Sequence, residues 1–165
     1  MTDWTTPKTW SVDELVTAPA MNVHVRDNLG YLFLRPLASS VQTSGTAYAV
    51  TSTSWAEVDA TNLKLTLRTA SGRVMIGLGA TMNGSQGMSF GARVSIDNGA
   101  QVEGWSDAVQ ISVGATLAPL LPLVVTGLSA GEHTFSLELR VNTAGTTLTV
   151  HRAAERPLRF WVLEV

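Results

Sequence analysis

The sequence contains no cysteine, which excludes disulfide bonds and thiolate metal sites. Charged residues make up 15% of the chain, fewer than the roughly 25% that is usual in soluble proteins. The net charge is −2, and the 11 Lys and Arg residues are scattered along the chain. Because no basic field results, we expect binding neither to nucleic acid nor to anionic lipid.

Long hydrophobic runs are also missing. The longest apolar stretch, Leu117 to Val125, is interrupted by proline and is far shorter than the ~20 residues of a membrane helix. We therefore expect no membrane insertion, and the N-terminus shows no pattern of a cleaved secretion signal. With 165 residues, 45% of them hydrophobic, the chain is the size of one domain with a substantial core.

A period of two dominates the chain after residue 45. Apolar residues alternate with polar or small residues over 63–67, 74–80, 90–96, 109–113, 135–141 and 148–150. Turn signals such as Asp97-Asn98-Gly99 separate these runs, and no segment with a helical period lies between them. The pattern predicts an all-β domain over 46–165, an antiparallel jelly roll or β-sandwich. In the run 74–80, Gly77 and Gly79 leave one strand face open to close approach by another group.

Helical spacing is confined to the N-terminal part. Residues 1–15 read as an extended arm, and Thr17 is a helix N-cap with Pro19 in the first turn. The apolar residues that share one predicted helix face are Met21, Val25, Leu29 and Leu32. We therefore assign 1–37 to an arm with one short helix, 38–45 to a small and polar linker, and 46–165 to the head domain.

The closing stretch, Arg156 to Val165, is apolar on both faces if it is extended. Leu158, Phe160 and Val162 alternate with a second apolar set, Trp161, Leu163 and Val165. One face fits the core of the domain itself. The other needs cover from a loop, from the N-terminal segment or from another copy of the chain. We favour another copy, with Phe160, Trp161, Leu163 and Val165 as contact residues.

Few residues suggest catalysis. The histidines, His24, His133 and His151, lie on different elements without a local zinc spacing, and no nucleophile motif is present. Paired carboxylates for glycoside hydrolysis (Glu103 with Asp107, or Asp97 with Glu138) and a calcium site (Asp97, Asn98 and Asp107) compete with ordinary solvated turns, which we favour. We expect no enzyme, no metal and no cofactor.

Tryptophans suggest binding instead. Trp55 and Trp105 lie in loop-like sequence, where an indole either stacks on a sugar or caps the core. Trp4 and Trp10 on the arm either pack against their own chain or dock on a partner.

Two parts of the sequence, the predicted helix and the C-terminus, resemble a known group of proteins. The N-terminal part resembles a pattern found in small structural proteins of tailed phages. The residues that carry this resemblance are Trp10, Leu15-Val16-Thr17-Ala18, Met21-Asn22, Val25-Arg26-Asp27-Asn28-Leu29 and Leu32. The ending Phe160-Trp161-Val162-Leu163-Glu164-Val165, with the strand after Ala130-Gly131-Glu132-His133, resembles the same group. The two ends cover about a third of the sequence. The helix start, Thr17-Ala18-Pro19-Ala20, lacks the acidic residue that the group usually shows, and Gly30 interrupts the last turn.

The resemblance implies a virion component, made in the host cytoplasm, that binds other capsid or tail proteins through its N-terminal part. The residues that would do so are Trp4, Trp10, Asn22, Arg26, Asp27, Asn28 and Leu29. It also implies a homotrimeric head like those of tumour-necrosis-factor and complement-C1q proteins, with the final strand near the threefold axis. The alternative is a head that binds a host glycan through Trp55 or Trp105.

Overall fold

The computed structural model describes residues 5–33, 35–111, 116–117 and 122–165. The chain divides into two compact units, Met1–Pro36 and Leu37–Val165. Among the described helices, none is long and apolar enough to cross a membrane.

The N-terminal unit consists of an irregular arm and a continuous helical segment. The segment begins with α1 (Ala18–Met21), continues as a π-helix (Asn22–Asp27) and ends with α2 (Asn28–Phe33). The side chain of Thr17 accepts a hydrogen bond from the Ala20 N–H at 3.4 Å, and Pro19 lies in the first turn, as the sequence predicts.

The predicted apolar face of this helix is partly exposed. Its four residues, Met21, Val25, Leu29 and Leu32, keep between 37% and 48% of their surface exposed. A short helix gains most of its stability from packing its apolar face. The N-terminal unit therefore presents apolar surface that further packing can still bury.

The second unit is built from short strands. Their bounds are β1 Leu37–Gln42, β2 Tyr48–Val50, β3 Ala56–Glu57, β4 Lys64–Thr69, β5 Val74–Gly79, β6 Met82–Gly84, β7 Met88–Ile96, β8 Gln101–Ile111, β9 Thr116–Leu117, β10 Leu123–Val125, β11 Gly131–Val141, β12 Leu148–Val150 and β13 Leu158–Glu164. A turn of 3₁₀ type, Asp97–Gly99, joins β7 to β8 as the predicted hairpin.

The strands form antiparallel sheets in which neighbours are mostly distant in sequence. One sheet has the order β1-β13-β5-β10, a second has β3-β11-β7-β8 with β4 also paired to β11, and a small third has β2-β12-β6-β9. Successive strands therefore cross repeatedly from one sheet to another. This is the jelly-roll arrangement that the alternating sequence pattern predicts.

The inner faces of the sheets share one hydrophobic core. Phe90, Phe135 and Phe160 are its largest fully buried side chains, and each comes from a different strand. Every strand that crosses the core alternates inward apolar residues with outward ones, which is the physical origin of the period of two.

Two predictions need correction. The segment 38–45 is not a linker over most of its length, because Leu37–Gln42 is a strand paired with β13 from Leu37↔Leu163 to Gln42↔Leu158. Small and polar residues are compatible with an edge strand, and β1 lies at the edge of its sheet. Phe160 is fully buried in the core of its own subunit, so its side chain cannot contact a second copy.

Candidate functional site

The most extensive feature available for binding is the outward face of the sheet β1-β13-β5-β10. Strand register places Leu37 opposite Leu163, Leu163 opposite Met75, and Met75 opposite Val124. One apolar side chain from each of the four strands thus forms a continuous row. We call the surface made by Leu37, Val41, Met75, Val124, Trp161 and Leu163 the outer sheet face.

This face is apolar and incompletely covered. Leu37 keeps 59% of its surface exposed, Val41 52% and Val124 49%, while Trp161 and Leu163 are half-buried. Among the outward positions of the four strands, the charged residue is Arg159, opposite Gly79 and Val41. An uncovered apolar surface that spans a whole sheet is typical of an interface.

Glycine explains how Trp161 lies on this face. Register pairs Trp161 with Gly77, and a Cβ added to Gly77 would lie 2.1 Å from the indole ring. The ring therefore packs flat against the backbone of β5. The sequence predicted close approach at this strand face, and the approaching group is the tryptophan of the neighbouring strand.

The residues predicted to bind a virion lie on the N-terminal unit, except that Trp4 is outside the described residues. Asn28 is buried and joins the arm to the helix. Its Oδ1 accepts from the Thr5 N–H at 2.9 Å, and its Nδ2 donates to the carbonyls of Thr5 at 2.7 Å and His24 at 3.2 Å. Asn28 thus connects the arm to the helix through these hydrogen bonds.

The other N-terminal polar residues are mostly at the surface. Arg26 Nε donates to Asp27 Oδ1 at 2.8 Å, and Asn22 and Leu29 are exposed. The indole of Trp10 contacts the His24 ring edge-on, with 6.4 Å between the two ring centroids. The Lys8 ammonium lies 4.8 Å from the centroid of the Trp10 ring. Trp10 therefore packs on its own helix while remaining 36% exposed.

Replacing Asn28 with Ala should release the arm. Because the Thr5 N–H loses its acceptor, we expect its protection from hydrogen exchange to fall by about tenfold or more. Amide exchange followed by NMR measures this. The exposed Asn22→Ala is the matched control and should leave Thr5 unchanged; equal protection of Thr5 in both variants would show that Asn28 does not hold the arm.

Trp55 lies over the outer surface of the second sheet. The guanidinium groups of Arg93 and Arg140 lie 4.4 and 4.7 Å from its ring centroid, and a Cβ on Gly91 would meet the indole at 2.6 Å. Arg93 also pairs with Glu138 at 2.6 Å. The indole is therefore held by cation–π contacts with the protein itself, which leaves less of the ring for a sugar.

Trp105 is part of strand β8 and not of a loop, contrary to the sequence prediction. It is partly buried and packs against the hydrophobic core. This position favours the core-capping role over the stacking role.

The candidate carboxylates have structural partners. Asp97 accepts hydrogen bonds from His133 and Thr134, whereas Glu138 pairs with Arg93. Asn98 Oδ1 accepts from Lys64 Nζ at 3.1 Å. The side chains of Glu103 and Asp107 are outside the described set, and within that set no group of three or more His, Asp or Glu residues could hold a metal.

A shallow depression of about 180 Å³ lies beside β2 and β3. It is lined by Tyr48, Ala49, Val50, Thr51, Ser52, Ala56, Glu57 and Val58. Glu57 is the single carboxylate of this lining. The depression thus lacks the pair of carboxyl groups that glycoside hydrolysis needs.

The buried ring of His133 forms a bridge that no sequence motif indicated. Its Nδ1 lies 2.6 Å from Asp97 Oδ2 and its Nε2 lies 2.8 Å from the Ser129 carbonyl. These two hydrogen bonds raise the pKa of His133 above its ordinary value, the Asp97 bond most strongly. Burial acts to raise the pKa of Asp97, but bonds from the Thr134 N–H and the His133 ring outweigh it, so this pKa is lowered.

A second buried polar group, the Glu164 carboxylate, anchors the last strand, β13, by hydrogen bonds. Glu164 is 2% exposed, and its Oε1 accepts from Thr69 Oγ1, the Ala70 N–H and the Ser71 N–H at 2.7, 2.7 and 2.6 Å. Alternation in the sequence already placed Glu164 on the same strand face as Phe160 and Val162. An acid on a core-facing strand position was the signal that could have indicated this site, since a buried carboxylate requires donors.

Comparison with known proteins supports the fold and nothing narrower. No family profile matches the chain, and no curated protein matches it in sequence. Among solved structures, the chain is similar to that of infectious bursal virus derived T=1 particles, with TM-score 0.51 and 13% identity over 79% of this chain and 36% of that one. The Gx strain of infectious bursal disease virus gives TM-score 0.51 and 14% identity over the same shares.

Murine APRIL is similar at TM-score 0.51 and 10% identity, over 80% of this chain and 100% of that one. The chain spans about a third of the length of the viral particle proteins. At such low identities these likenesses establish a jelly-roll fold, which virus particle proteins and APRIL share with this chain.

Proposed function

We propose that this protein is a non-enzymatic structural component of a phage virion, and that it assembles as a homotrimer through the outer sheet face. The observation that carries the proposal is the uncovered apolar row of Leu37, Leu163, Met75 and Val124 across all four strands. The likeness of the fold to viral particle structures supports a role in a particle.

Energetics favour a second copy as the cover of this face. Each large apolar side chain removed from water contributes on the order of 1.5 to 3 kcal/mol. Trp161, Leu163 and the exposed Leu37 lie side by side, so one contact buries them together. Burying the apolar surface of one copy against that of the next removes few polar groups from water, and the outward Arg159 has to stay at the rim of the contact.

Sedimentation of the purified full chain tests the assembly. At low micromolar concentration we expect a mass of three subunits. A monomer under these conditions would overturn the trimer, and a stable dimer or larger ring would overturn its stoichiometry.

The N-terminal unit is proposed to attach the trimer to the particle. Its helix exposes Met21, Val25, Leu29 and Leu32, and its arm exposes Val12 and Leu15 even more. An amphipathic helix that lays such a face into a hydrophobic groove is a common mode of recognition.

Attachment is tested with the double substitution Val25→Asp and Leu29→Asp. Both side chains are exposed, so we expect the trimer to persist while incorporation into particles is lost. The matched control is Thr66→Asp with Thr143→Asp, which adds the same two charges at exposed positions of the head domain and should incorporate normally. Normal incorporation of the aspartate variant would show that this helix face is not the attachment surface.

A further inference from the structure

The His133 bridge, which consists of His133, Asp97 and Ser129, closes one end of the sandwich. Asp97 belongs to the turn between β7 and β8, His133 to β11, and Ser129 to the segment that leads into β11. Asp97 also accepts from the Thr134 N–H at 2.9 Å through its second oxygen. One imidazole thus joins three separate pieces of the chain.

The hydrogen-bond chemistry of the bridge requires a fully protonated ring. Neither a carboxylate oxygen nor a carbonyl oxygen carries a proton to donate, and each faces one ring nitrogen at 2.6 or 2.8 Å. Only an imidazolium has an N–H on both nitrogens. A neutral ring would direct a lone pair at one of the two oxygens, and the bond there would become a repulsion.

The turn held by this bridge has a left-handed backbone. Asp97 and Asn98 have φ values of 50° and 57°, in a region that most residues other than glycine avoid and that Asn and Asp tolerate best among them. Such a backbone persists where surrounding contacts hold it. The contacts at this turn are the Asp97 bonds to β11 and the bond from Lys64 Nζ to Asn98.

Other charges contribute little to the ring. Leu67 of β4 is the residue opposite His133, and the neighbouring pair, Arg68 with Glu132, lies on the exposed face. The Lys64 ammonium reaches Asn98 and, at 3.5 Å, Glu57. Among the described contacts of the ring, the charged partner is therefore Asp97.

We propose that the His133 bridge is a proton-dependent latch, which holds the β7–β8 turn and the segment before β11 in place while the ring is protonated and releases them when the proton is lost. The latch is independent of the assembly proposed above, because all of its groups belong to one subunit and none of them is on the outer sheet face.

The sign of the effect follows from linkage. A histidine whose pKa is raised in the folded protein stabilises the fold fully below its unfolded pKa of about 6.5. This stabilisation is lost as the pH rises through the raised native pKa. Between the unfolded and the native pKa of His133, the unfolding equilibrium constant should rise by up to about tenfold per pH unit. Protonation of Asp97 in acid should also open the latch, but below the depressed native pKa of that group.

The test compares the full chain with His133→Gln by urea unfolding at fixed protein concentration between pH 5 and pH 10. We expect wild type to be the more stable near pH 6, and this difference to shrink as the pH rises above about 6.5. His151→Gln, at a half-buried ring without the bridge, is the matched control and should keep the wild-type pH dependence. A difference between wild type and His133→Gln that does not change with pH would overturn the latch.

A direct measurement on wild-type protein covers the case in which His133→Gln does not fold. NMR of the histidine Cε1–H signals, assigned with His24→Gln and His151→Gln, should show the His133 ring titrating above the ordinary histidine pKa of about 6.5. Titration of this signal below pH 6.5 would contradict the proposal.

Discussion

Replacing Glu164 with Ala should lower the free energy of unfolding by about 3 to 5 kcal/mol. The carboxylate accepts from the Thr69 hydroxyl and from the N–H groups of Ala70 and Ser71, all at 2.7 Å or less. Alanine leaves the buried Thr69 hydroxyl and the two part-buried N–H groups without their acceptor, and each such loss costs about 1 to 3 kcal/mol when the donor is buried. Because water can partly replace the lost carboxylate, the total loss of stability should be smaller than the sum of the three separate losses.

Equilibrium unfolding in urea measures this effect, at one fixed protein concentration because association adds to apparent stability. Glu164→Gln retains one acceptor oxygen and should cost about 1 to 2 kcal/mol. Glu132→Ala removes an exposed carboxylate on β11 and should change stability by less than about 0.5 kcal/mol. A loss below about 1 kcal/mol in Glu164→Ala would mean that the carboxylate does not anchor β13.

Leu163→Arg should convert the proposed trimer to monomers, weakening association by at least about 100-fold. Leu163 lies between Leu37 and Met75 in the apolar row, so an arginine there would be buried without a partner at every copy of the interface. Its outward position means that the folded subunit can keep the charge in water once it is alone. Sedimentation velocity across a concentration series measures the change.

A matched control separates association from folding. Thr66→Arg introduces the same charge at an exposed position of β4, on the other sheet, and should remain trimeric. Circular dichroism of both variants should match that of wild type. If Leu163→Arg sediments as wild type does, the outer sheet face is not the interface, whatever the mass of the complex.

Particular residues show why parts of the fold were predictable. Alternation over 90–96 and 135–141 predicted β7 and β11, since residues on one strand face share one environment. Thr17 and Pro19 marked the helix start through their own backbone preferences. By contrast, the polar composition of 38–45 suggested a linker, because an edge strand with one exposed face carries few apolar residues.

Sites assembled from distant segments were not predictable in the same way. His133 and Asp97 are 36 residues apart in sequence, and they meet because β11 pairs with β7 in the register Phe135↔Ile96. The contact of Trp55 with Arg93 and Arg140 likewise depends on a loop that lies over two paired strands. No local pattern encodes such pairings.

The sequence by itself determined the strands that alternate most clearly, the helix start and the two apolar faces of the last strand, because these follow from side-chain alternation and local backbone preference. The tertiary structure alone decided which face enters the core, so that Phe160 is buried and Leu163 joins the uncovered row. It also decided which distant polar groups meet, because strand order and register are set by the packing of the whole core and not by any one segment.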